Sequence, residues 1–331
     1  MAERGSILIT GGAGYIGSHC SKAVAAAGFR PIGYDNLSTG HADFVRWGPL
    51  VIGDVRDSAK IADTIREYRV QAVMHFAALS AVGESVVDPE AYFLNNVGGT
   101  LGLLRGMRDA GCERLVFSSS GAVYGNPGRE PISESAAGLP LNPYGRSKFM
   151  IEQMLSDFRA AYQFGSVSLR YFNASGADAS ATIGELRDPE THLIPRALMA
   201  LLGHVSDFAV YGTDYETPDG TAVRDYIHVD DLATSHIAAL EMLLAGDRGD
   251  VFNLGTGIGY SVRQILDAVH AETGLEVPLV FKARRAGDPP ILVADPSKAE
   301  CKLGFKAYRS DLRNIIRSAW AWHQKAHPRR N

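Results

Sequence analysis

The chain has 331 residues, of which 46% are hydrophobic and 21% are charged, and its formal net charge is −4. This composition is typical of a soluble globular protein long enough for two domains, and it excludes a disordered chain, a collagen and a small disulfide scaffold. Because the chain has 37 acidic and 33 basic side chains, it has no overall positive field that would attract a phosphate polymer or an anionic bilayer. We therefore expect no nucleic acid and no membrane among its partners.

The three cysteines, Cys20, Cys112 and Cys301, are odd in number and lack the Cys-x-x-Cys spacing of a zinc site. We expect free thiols, no bound metal and a reducing, cytoplasmic location. The sequence contains no run of about 18 uncharged apolar residues that would predict a membrane span. Its first residues lack the apolar core of a signal peptide.

Short apolar runs alternate with amphipathic stretches up to about residue 170, which predicts an α/β fold with a doubly wound parallel sheet. The rhythm changes after residue 173. We predict one domain over residues 1–173, with a return segment near 226–250, and a smaller C-terminal α/β domain over residues 174–331. The predicted strands end in small or polar residues and lie at Ile7–Thr10, Arg30–Tyr34, Leu50–Gly53, Ala72–Phe76, Arg114–Ser118 and Ser166–Tyr171.

In such open sheets ligands collect beyond the carboxyl ends of the strands, so site residues are expected there. The polar stretches 127–143 and 177–190 are predicted to be loops bordering a ligand site. Directly after the first strand the chain reads Gly11-Gly12-Ala13-Gly14-Tyr15-Ile16-Gly17 and enters a helical pattern. This glycine spacing lets the backbone approach a pyrophosphate at a helix N-terminus. The motif is weak alone, but its place between strand and helix predicts a dinucleotide site.

The second strand ends in Asp35, where a carboxylate can accept both ribose hydroxyls of an adenosine. The next residues, Asn36, Leu37 and Ser38, offer no arginine for a 2′-phosphate, so NAD is favoured over NADP. Two further segments follow strand ends and are candidate NAD contacts: Asp54-Val55, and Phe76-Ala77-Ala78. Asp54 has a simpler alternative as a turn carboxylate.

A tyrosine and a lysine, Tyr144 and Lys148, stand four residues apart at the start of a predicted helix, which puts them on one face. Ser120 lies at the end of the fifth strand, beside the expected nicotinamide. A phenol with a pKa of about 10 needs a shift worth about 4 kcal/mol to act as a base at pH 7. The Lys148 ammonium and an oxidised nicotinamide are the cations expected to supply it. A helix-facing tyrosine with a solvated lysine is the plain alternative.

These residues, with further motifs, resemble the extended short-chain dehydrogenases/reductases, and within them the 4-epimerases of UDP-hexoses. The likeness covers essentially all 331 residues and runs through these segments: Thr10–Gly17, Asp35–Leu37, Gly53-Asp54, His75–Ala77, Val82–Ser85, Asn95–Val97, Ser118–Ser120, Val123–Gly125, Tyr144–Lys148, Arg170–Asn173, Val223–Val229, Asn253–Gly255 and Arg285–Asp288.

The resemblance implies a Rossmann domain that binds NAD and a C-terminal domain that binds a UDP-sugar. It implies that Tyr144 takes the proton of the sugar 4-hydroxyl and later returns it, with Ser120 hydrogen-bonding the oxygen at C4. The implied catalytic set is Ser120, Tyr144 and Lys148. Cofactor contacts beyond those above are Asn95, Ser118, Tyr171 and Phe172. The implied substrate contacts are Ser120, Tyr144, Asn173, Leu193, Tyr211, Arg224, Tyr226, Arg285, Asp288 and Leu292.

Within the resemblance, Arg224 and Arg285 are expected to hold phosphates, Tyr211 to lie under the uracil and Asp288 to bind ribose. Surface ion pairs are the alternative for the two arginines. Many relatives carry a lysine where this chain has Ser80, so the site is expected to lack one positive charge. Leu292 occupies the position that limits the sugar 2-substituent, which leaves N-acetylated sugars open.

Four other functions were weighed. Dehydratases and decarboxylases need an acid or base where this chain has Gly121-Ala122-Val123, so both are disfavoured. A UDP-xylose/UDP-arabinose 4-epimerase fits the same residues as the hexose enzyme. A regulator that binds NAD without turnover is disfavoured because Tyr144 and Lys148 are both present. A homodimer is implied, and the apolar stripe Leu101-Leu104-Met107-Ala110 is either part of its interface or the core face of a helix.

Overall fold

The computed structural model describes residues 4–128, 131–284 and 288–330. In these residues the main sheet has the strand order β10-β6-β5-β4-β1-β2-β3, and every pairing in it is parallel. The predicted α/β class is therefore confirmed, and all six predicted strands belong to this sheet. Its strands are β1 (Ser6–Thr10), β2 (Arg30–Asp35), β3 (Leu50–Ile52), β4 (Val70–His75), β5 (Arg114–Ser120), β6 (Gly165–Tyr171) and β10 (Val251–Leu254).

Helices cover both faces of this sheet because apolar side chains point alternately to either side of each buried strand. Ile7 and Ile9 of β1 pack in one core cluster with residues of α1 and α8, whereas Leu8 packs in a second cluster with residues of α2, α5 and α6. The covering helices are α1 (Tyr15–Ala26), α2 (Ser58–Tyr68), α5 (Gly99–Asp109), α6 (Pro143–Tyr162) and α8 (Val229–Leu244).

Between β4 and α5 the chain forms two short helices, α3 (Val82–Val87) and α4 (Pro89–Tyr92), and a π-helical segment, Phe93–Gly98. The stripe considered as a dimer interface lies on α5. Leu104 and Met107 are fully buried in the core, while Leu101 is exposed. Most of the stripe is thus the core face of α5, while Ala110, just after the helix, is partly buried at the margin of the same core and Leu101 is exposed.

The remaining elements form smaller sheets and a helical layer. The strands β7 (Asn173–Ser175) and β13 (Ile291–Leu292) pair in parallel with β9 (Val223–His228), and β11 (Gly259–Ser261) pairs with β9 in the antiparallel sense. A two-stranded sheet joins β8 (Ala209–Tyr211) to β12 (Val280–Lys282). The helices here are α7 (Leu193–Leu201), α9 (Val262–Thr273), α10 (Ser297–Leu303) and α11 (Leu312–Ala326). Among the helices of the described ranges, none has the length and apolar character needed to cross a bilayer.

The strand register brings the predicted site residues to one edge of the main sheet. Thr10 at the end of β1 pairs with Tyr34 of β2 and with His75 of β4. Ser120 at the end of β5 pairs with Tyr171 of β6. Because all these strands are parallel, the segments that follow them emerge side by side, as the sequence analysis required.

Candidate active site

The glycine loop is a tight backbone cradle that added side chains would fill. Gly11 has a φ of +72°, and a Cβ there would lie 2.7 Å from the amide nitrogen of Ala77. A Cβ on Gly17 would lie 2.1 Å from the carbonyl oxygen of Gly11. Gly14 is the N-cap of α1, and since glycine has no side chain, the first amide groups of that helix are left for a ligand. Tyr15 and Ile16 therefore begin α1 beside an anion site.

Asp35 fixes the loop to the end of β2. Its Oδ2 accepts a hydrogen bond from the amide of Ala13 at 3.0 Å, and its Oδ1 accepts one from the amide of Leu37 at 2.8 Å. The carboxylate is buried, 8% exposed. A carboxylate has about four acceptor positions, so these two bonds leave capacity for ribose hydroxyls. Ser38 donates its amide to the Asn36 side chain at 3.0 Å, which shapes the turn beneath.

Asp54 lies beside this turn, but its contacts are those of a turn carboxylate. Its Oδ1 accepts hydrogen bonds from the Arg56 amide at 2.9 Å and from Arg56 Nε at 2.8 Å. The Arg56 hydrogen bond lowers the pKa of Asp54 to about 2. Asn36 donates to Asp54 Oδ2 at 3.3 Å, so the two predicted adenosine-side segments touch. Val55 is buried and packs in the core with α5.

The head of α6 places Tyr144 and Lys148 on the face that meets β5. Asn142 is the N-cap, and its side chain accepts the amide of Gly145 at 2.8 Å, while Pro143 occupies the first turn. Lys148 is 3% exposed, and its Nζ donates to the carbonyl oxygen of Ser118 at 2.8 Å. The Ser120 hydroxyl is close enough to the Tyr144 phenol to lower its pKa. The structure therefore brings the three predicted catalytic residues together.

Burial works against ionisation of both groups on α6. Burial raises the pKa of the Tyr144 phenol, and the Ser120 hydrogen bond and the charge of Arg187 offset part of that rise. Burial lowers the pKa of Lys148 to about 7, so this amine is only partly protonated near neutral pH. Its Nζ is 5.9 Å from the centre of the Tyr144 ring. Burial of Lys148 therefore weakens, in the protein alone, the acidification of Tyr144 that the sequence predicts from this lysine.

Further predicted cofactor residues line the same edge. Ser118 and Tyr171 hydrogen-bond each other through their hydroxyls. The Phe172 ring stacks on Tyr124 with 6.5 Å between ring centres, and it lies so close to Gly121 that a Cβ there would be 2.9 Å from it. The Phe76 ring lies 4.8 Å from that of His236 on α8. Ala77 and Ala78 follow, next to Gly11.

On the predicted substrate side, Arg224 and Asp288 form an ion pair with each other. Arg224 therefore forms an ion pair, as the alternative interpretation predicted. Its partner, Asp288, is itself a predicted contact of the uridine diphosphate. Asn173 donates its side-chain amide to the carbonyl oxygen of Asp225 at 3.0 Å. These contacts connect β7 and β9 beside the end of the main sheet.

The other predicted substrate contacts are spread more widely. Tyr226 is 6% exposed in a core cluster with Leu193 at its margin, and burial raises its pKa to about 12. Leu292 packs against the buried cluster of Val123, Tyr124 and Ile132. Tyr211 lies on β8, where the Lys282 ammonium is 5.9 Å from its ring centre. Arg285 lies outside the described residues.

Comparison with known proteins adds to this geometry. Residues 7–255 match the model of the NAD dependent epimerase/dehydratase family. The chain belongs to this family. A UDP-glucose 4-epimerase from Rhizobium leguminosarum bv. trifolii is 49% identical over 321 residues, which cover 97% of this chain and 98% of that protein.

Solved structures of such epimerases share the fold. A UDP-glucose 4-epimerase from Brucella ovis in complex with NAD is 53% identical, with a TM-score of 0.94, and the match covers 96% of this chain and 98% of that one. A UDP-glucose 4-epimerase from Stenotrophomonas maltophila, with bound NAD and formylated UDP-arabinopyranose, is 41% identical, with a TM-score of 0.94, and the match covers 98% of this chain and 99% of that one.

The residues of this family member fit NAD on their own chemistry. The glycine cradle and the open start of α1 offer backbone amides to a pyrophosphate, and Asp35 offers acceptors to a ribose. A carboxylate at that position disfavours a 2′-phosphate. The donor set therefore suits the non-phosphorylated dinucleotide.

Two polar residues, Asn96 and Arg187, were not predicted as site residues from the sequence. Asn96, in the π-helical segment, accepts the amide of Leu79 at 2.8 Å and donates to the Ser147 hydroxyl at 3.0 Å, which ties the loop after β4 to α6. Asn95 donates to the Asn96 side chain at 3.0 Å. Arg187 donates to the Ser80 hydroxyl at 3.0 Å. The positive charge expected to be missing beside Ser80 is therefore present, carried by a residue distant in sequence.

Proposed function

We propose that this chain is a UDP-glucose 4-epimerase that interconverts UDP-glucose and UDP-galactose with NAD as its cofactor. The observation that carries the proposal is the placement of Tyr144 beside Ser120, one helical turn from Lys148 and at the same sheet edge as the glycine cradle. The relatives that match nearly the whole chain carry the same activity in their names.

NAD supplies reversible oxidation of the sugar at C4, and the chain's own residues position the sugar and move the proton. The Tyr144 phenolate oxygen accepts the proton of the 4-hydroxyl and returns it when the 4-keto sugar is reduced on its other face. Ser120 holds the oxygen at C4 by a hydrogen bond. Lys148, fixed on the Ser118 carbonyl, keeps its amine on the side of the Tyr144 ring, where it would help to hold the bound cofactor.

For the nucleotide part of the substrate, we propose the contacts predicted from the sequence, with Arg224 and Arg285 on the phosphates. Arg224 already holds a carboxylate of this set, Asp288. A pyrophosphate would therefore have to share or displace that carboxylate, which couples phosphate binding to a rearrangement at Asp288. Tight binding of the diphosphate leaves the sugar free to turn over in the pocket.

We also propose the division into a nucleotide domain over 1–173, with a return segment near 226–250, and a sugar-nucleotide domain over 174–331. Two contacts support this division. Helix α8, in the return segment, packs on α1 against the main sheet, and β10, which follows that segment, pairs with β6 of the sheet. The ion pair of Arg224 with Asp288 lies among the strands of the smaller sheets.

A second candidate is the 4-epimerisation of UDP-pentoses. The Stenotrophomonas maltophila relative holds a formylated UDP-arabinopyranose, and the roles proposed for Tyr144 and Ser120 concern C4, where a pentose and a hexose react alike. Leu292, half-buried against the cluster of Val123, Tyr124 and Ile132, is the residue proposed to limit the sugar 2-substituent, which the same experiment tests.

The test is incubation of the NAD-loaded protein with UDP-galactose, UDP-xylose and UDP-N-acetylglucosamine separately, followed by identification of the products. We expect UDP-glucose from UDP-galactose at the highest turnover. Faster conversion of UDP-xylose would favour the second candidate. No product from any of the three would overturn the proposal.

We further propose a homodimer in the cytoplasm. The described cysteines Cys20, Cys112 and Cys301 are free thiols, in keeping with a reducing compartment. Exposed apolar side chains lie on neighbouring elements, α3, the π-helical segment, α5 and α6, which pack on one another. We call this set the α3–α6 patch: Val86, Val87, Leu94, Leu101 and Met150.

A further inference from the structure

The long connection between β7 and α7 brings a guanidinium to the active-site edge. Arg187 Nη1 donates to Ser80 Oγ at 3.0 Å, and Arg187 Nε donates to Glu185 Oε1 at 3.0 Å. Ser80 follows Phe76-Ala77-Ala78, the segment beside the glycine cradle. The guanidinium therefore joins the connection that borders the substrate side to the loop that borders the cofactor side.

Glu185 is itself fixed, so the direction of the guanidinium is fixed with it. Its carboxylate is 3% exposed, and Oε1 also accepts a hydrogen bond from His192 Nδ1 at 2.7 Å. Its carbonyl oxygen accepts Trp322 Nε1 at 2.8 Å. Burial raises the pKa of Glu185, but the charges of His192 and Arg187 outweigh burial and hold it at about 2. This carboxylate is thus ionised across the working pH range and anchors Arg187.

A second buried glutamate, Glu190, lies in the same cluster as Glu185 and His192. One Glu190 oxygen accepts the amides of Thr191 and His192. Burial and the neighbouring Glu185 raise the pKa of Glu190. The ionised Glu185 faces Arg187 and His192, so the cluster is already charge-balanced by its own side chains, and an added metal cation is disfavoured.

Hydrogen bonds connect the loop that holds Arg187 to the helix of Tyr144: Leu79, next to Ser80, donates to Asn96, and Asn96 donates to Ser147 on α6. In this arrangement the Arg187 charge opposes the rise that burial imposes on the pKa of Tyr144, and Tyr144 in turn raises the pKa of Arg187. A guanidinium keeps its charge at every working pH, whereas burial lowers the pKa of Lys148 to about 7. Of Arg187 and Lys148, Arg187 is therefore the one whose positive charge does not change with pH.

The other titratable groups that face Tyr144 do not replace it. The Tyr92 ring on α4 is 6.5 Å from that of Tyr144, and Tyr92 donates to Glu84 at 2.9 Å. Tyr171 on β6 also interacts with Tyr144. Burial raises the pKa of both phenols, so they stay neutral at pH 7. The Glu84 carboxylate, beyond Tyr92, would oppose a phenolate rather than favour it.

We propose that Arg187, held between Glu185 and Ser80, is an electrostatic positioning residue that favours the phenolate of Tyr144 during proton transfer from the sugar. It also keeps the 185–192 segment against the loop after β4 while the substrate reacts. The kinetic part of this inference rests on the proposed 4-epimerase function. Its electrostatic part concerns the phenol itself and can be measured without substrate.

The kinetic experiment compares Arg187→Met, Arg187→Lys and Arg196→Met in the NAD-loaded protein across pH 6 to 10, with UDP-galactose as substrate. For Arg187→Met we expect on the order of tenfold lower kcat at pH 7 and a kcat profile whose acidic limb moves to higher pH. KM should stay within about twofold, and Arg187→Lys should restore most of kcat. Arg196 is the matched control, because it also touches this segment, through the Glu190 carbonyl at 3.1 Å, but pairs with Asp207.

The second readout is the ultraviolet titration of phenol ionisation, in which the contribution of Tyr144 is isolated by subtracting the curve of Tyr144→Phe. In Arg187→Met we expect this step at higher pH than in the unmodified protein. If the unmodified protein turns over none of the UDP-sugars, the proposed function fails while this titration still tests Arg187. Unchanged titration and kcat profiles, or equal losses in Arg187→Met and Arg187→Lys with lowered thermal stability, would overturn the inference.

Discussion

At the scale of single residues, the active site is organised by what burial does to two ionisable groups on one helix. Tyr144 and Lys148 both lose their water, so burial raises the pKa of the phenol and lowers that of the amine to about 7. Both shifts favour neutral side chains. Charges from elsewhere must therefore favour the phenolate, which is the role we propose for Arg187.

The first prediction concerns Tyr144→Phe, which removes the phenol oxygen and keeps the ring. We expect turnover of UDP-galactose to fall at least about a hundredfold because proton transfer at the 4-hydroxyl is lost. The content of NAD, measured by release on denaturation, should stay equal to that of the unmodified protein. Tyr162→Phe, at the exposed end of the same helix, is the control and should keep full activity. Turnover near the unmodified rate in Tyr144→Phe would remove this phenol from the mechanism.

The second prediction uses the depressed pKa of Lys148. Between about pH 7 and pH 10 the unfolded chain protonates this amine while the folded protein does not, so the free energy of unfolding rises with pH. This one group contributes at most about 1.4 kcal/mol per pH unit. In NAD-free protein, the stability difference between the unmodified chain and Lys148→Met should therefore grow in favour of the unmodified chain from pH 7 to pH 9. Urea unfolding measures it, with the exposed Lys325→Met as control, and a difference independent of pH would contradict it.

Local patterns revealed some site residues and hid others. Tyr144 and Lys148 are one helical turn apart, which predicted that they lie on one face, and Ser120 ends a strand, which predicted its place at the edge of the sheet. Arg187 and Ser80 are 107 residues apart in the sequence, and they meet because β7 carries the chain past the sheet edge. No local period encodes such a contact, which is why the sequence led us to expect a missing charge.

At the scale of elements, the turn between β1 and α1 depends on close backbone approach. The third prediction is that Gly17→Ala loses NAD, because its Cβ would lie 2.1 Å from the carbonyl oxygen of Gly11 and force the turn apart. Gly83→Ala, whose Cβ would meet no atom of the described structure within 4 Å, is the matched control. We expect at least a tenfold loss of bound NAD in the first variant, whereas equal NAD content in both would contradict the cradle.

The strands of the main sheet were predictable because each carries apolar residues between turn signals and ends in small or polar residues. β10 was not, because Val251–Leu254 lies just beyond the return segment predicted near 226–250 and so fell within the residues assigned to the second domain. Its place next to β6 follows from α8, which returns the chain to the sheet. The ion pair of Arg224 with Asp288 is also a product of the tertiary structure, because it joins β9 to a distant loop.

At the scale of the whole molecule, the α3–α6 patch is an exposed apolar surface that suits a protein partner. Val87 is 86% exposed, Val86 64% and Leu94 57%, although each is apolar. Contiguous exposed apolar side chains on packed elements are typical of interaction sites. The homodimer we propose would have two-fold symmetry, the commonest form of oligomer, and would bury the same patch on both chains. Asn95 and Asn96 lie in the π-helical segment of this patch, so an interface here would also brace the site.

The last prediction is that the double variant Val87→Glu, Leu101→Glu is monomeric where the unmodified protein is a dimer. In a two-fold interface each new carboxylate meets the apolar patch of the other copy and loses its water without a partner, which disfavours association. Light scattering after gel filtration at about 20 μM protein measures the mass in solution. Ile258→Glu, which adds a carboxylate at an exposed apolar residue between β10 and β11, should remain dimeric. A dimer that survives the double variant, or a monomeric unmodified protein, would contradict this assignment of the patch.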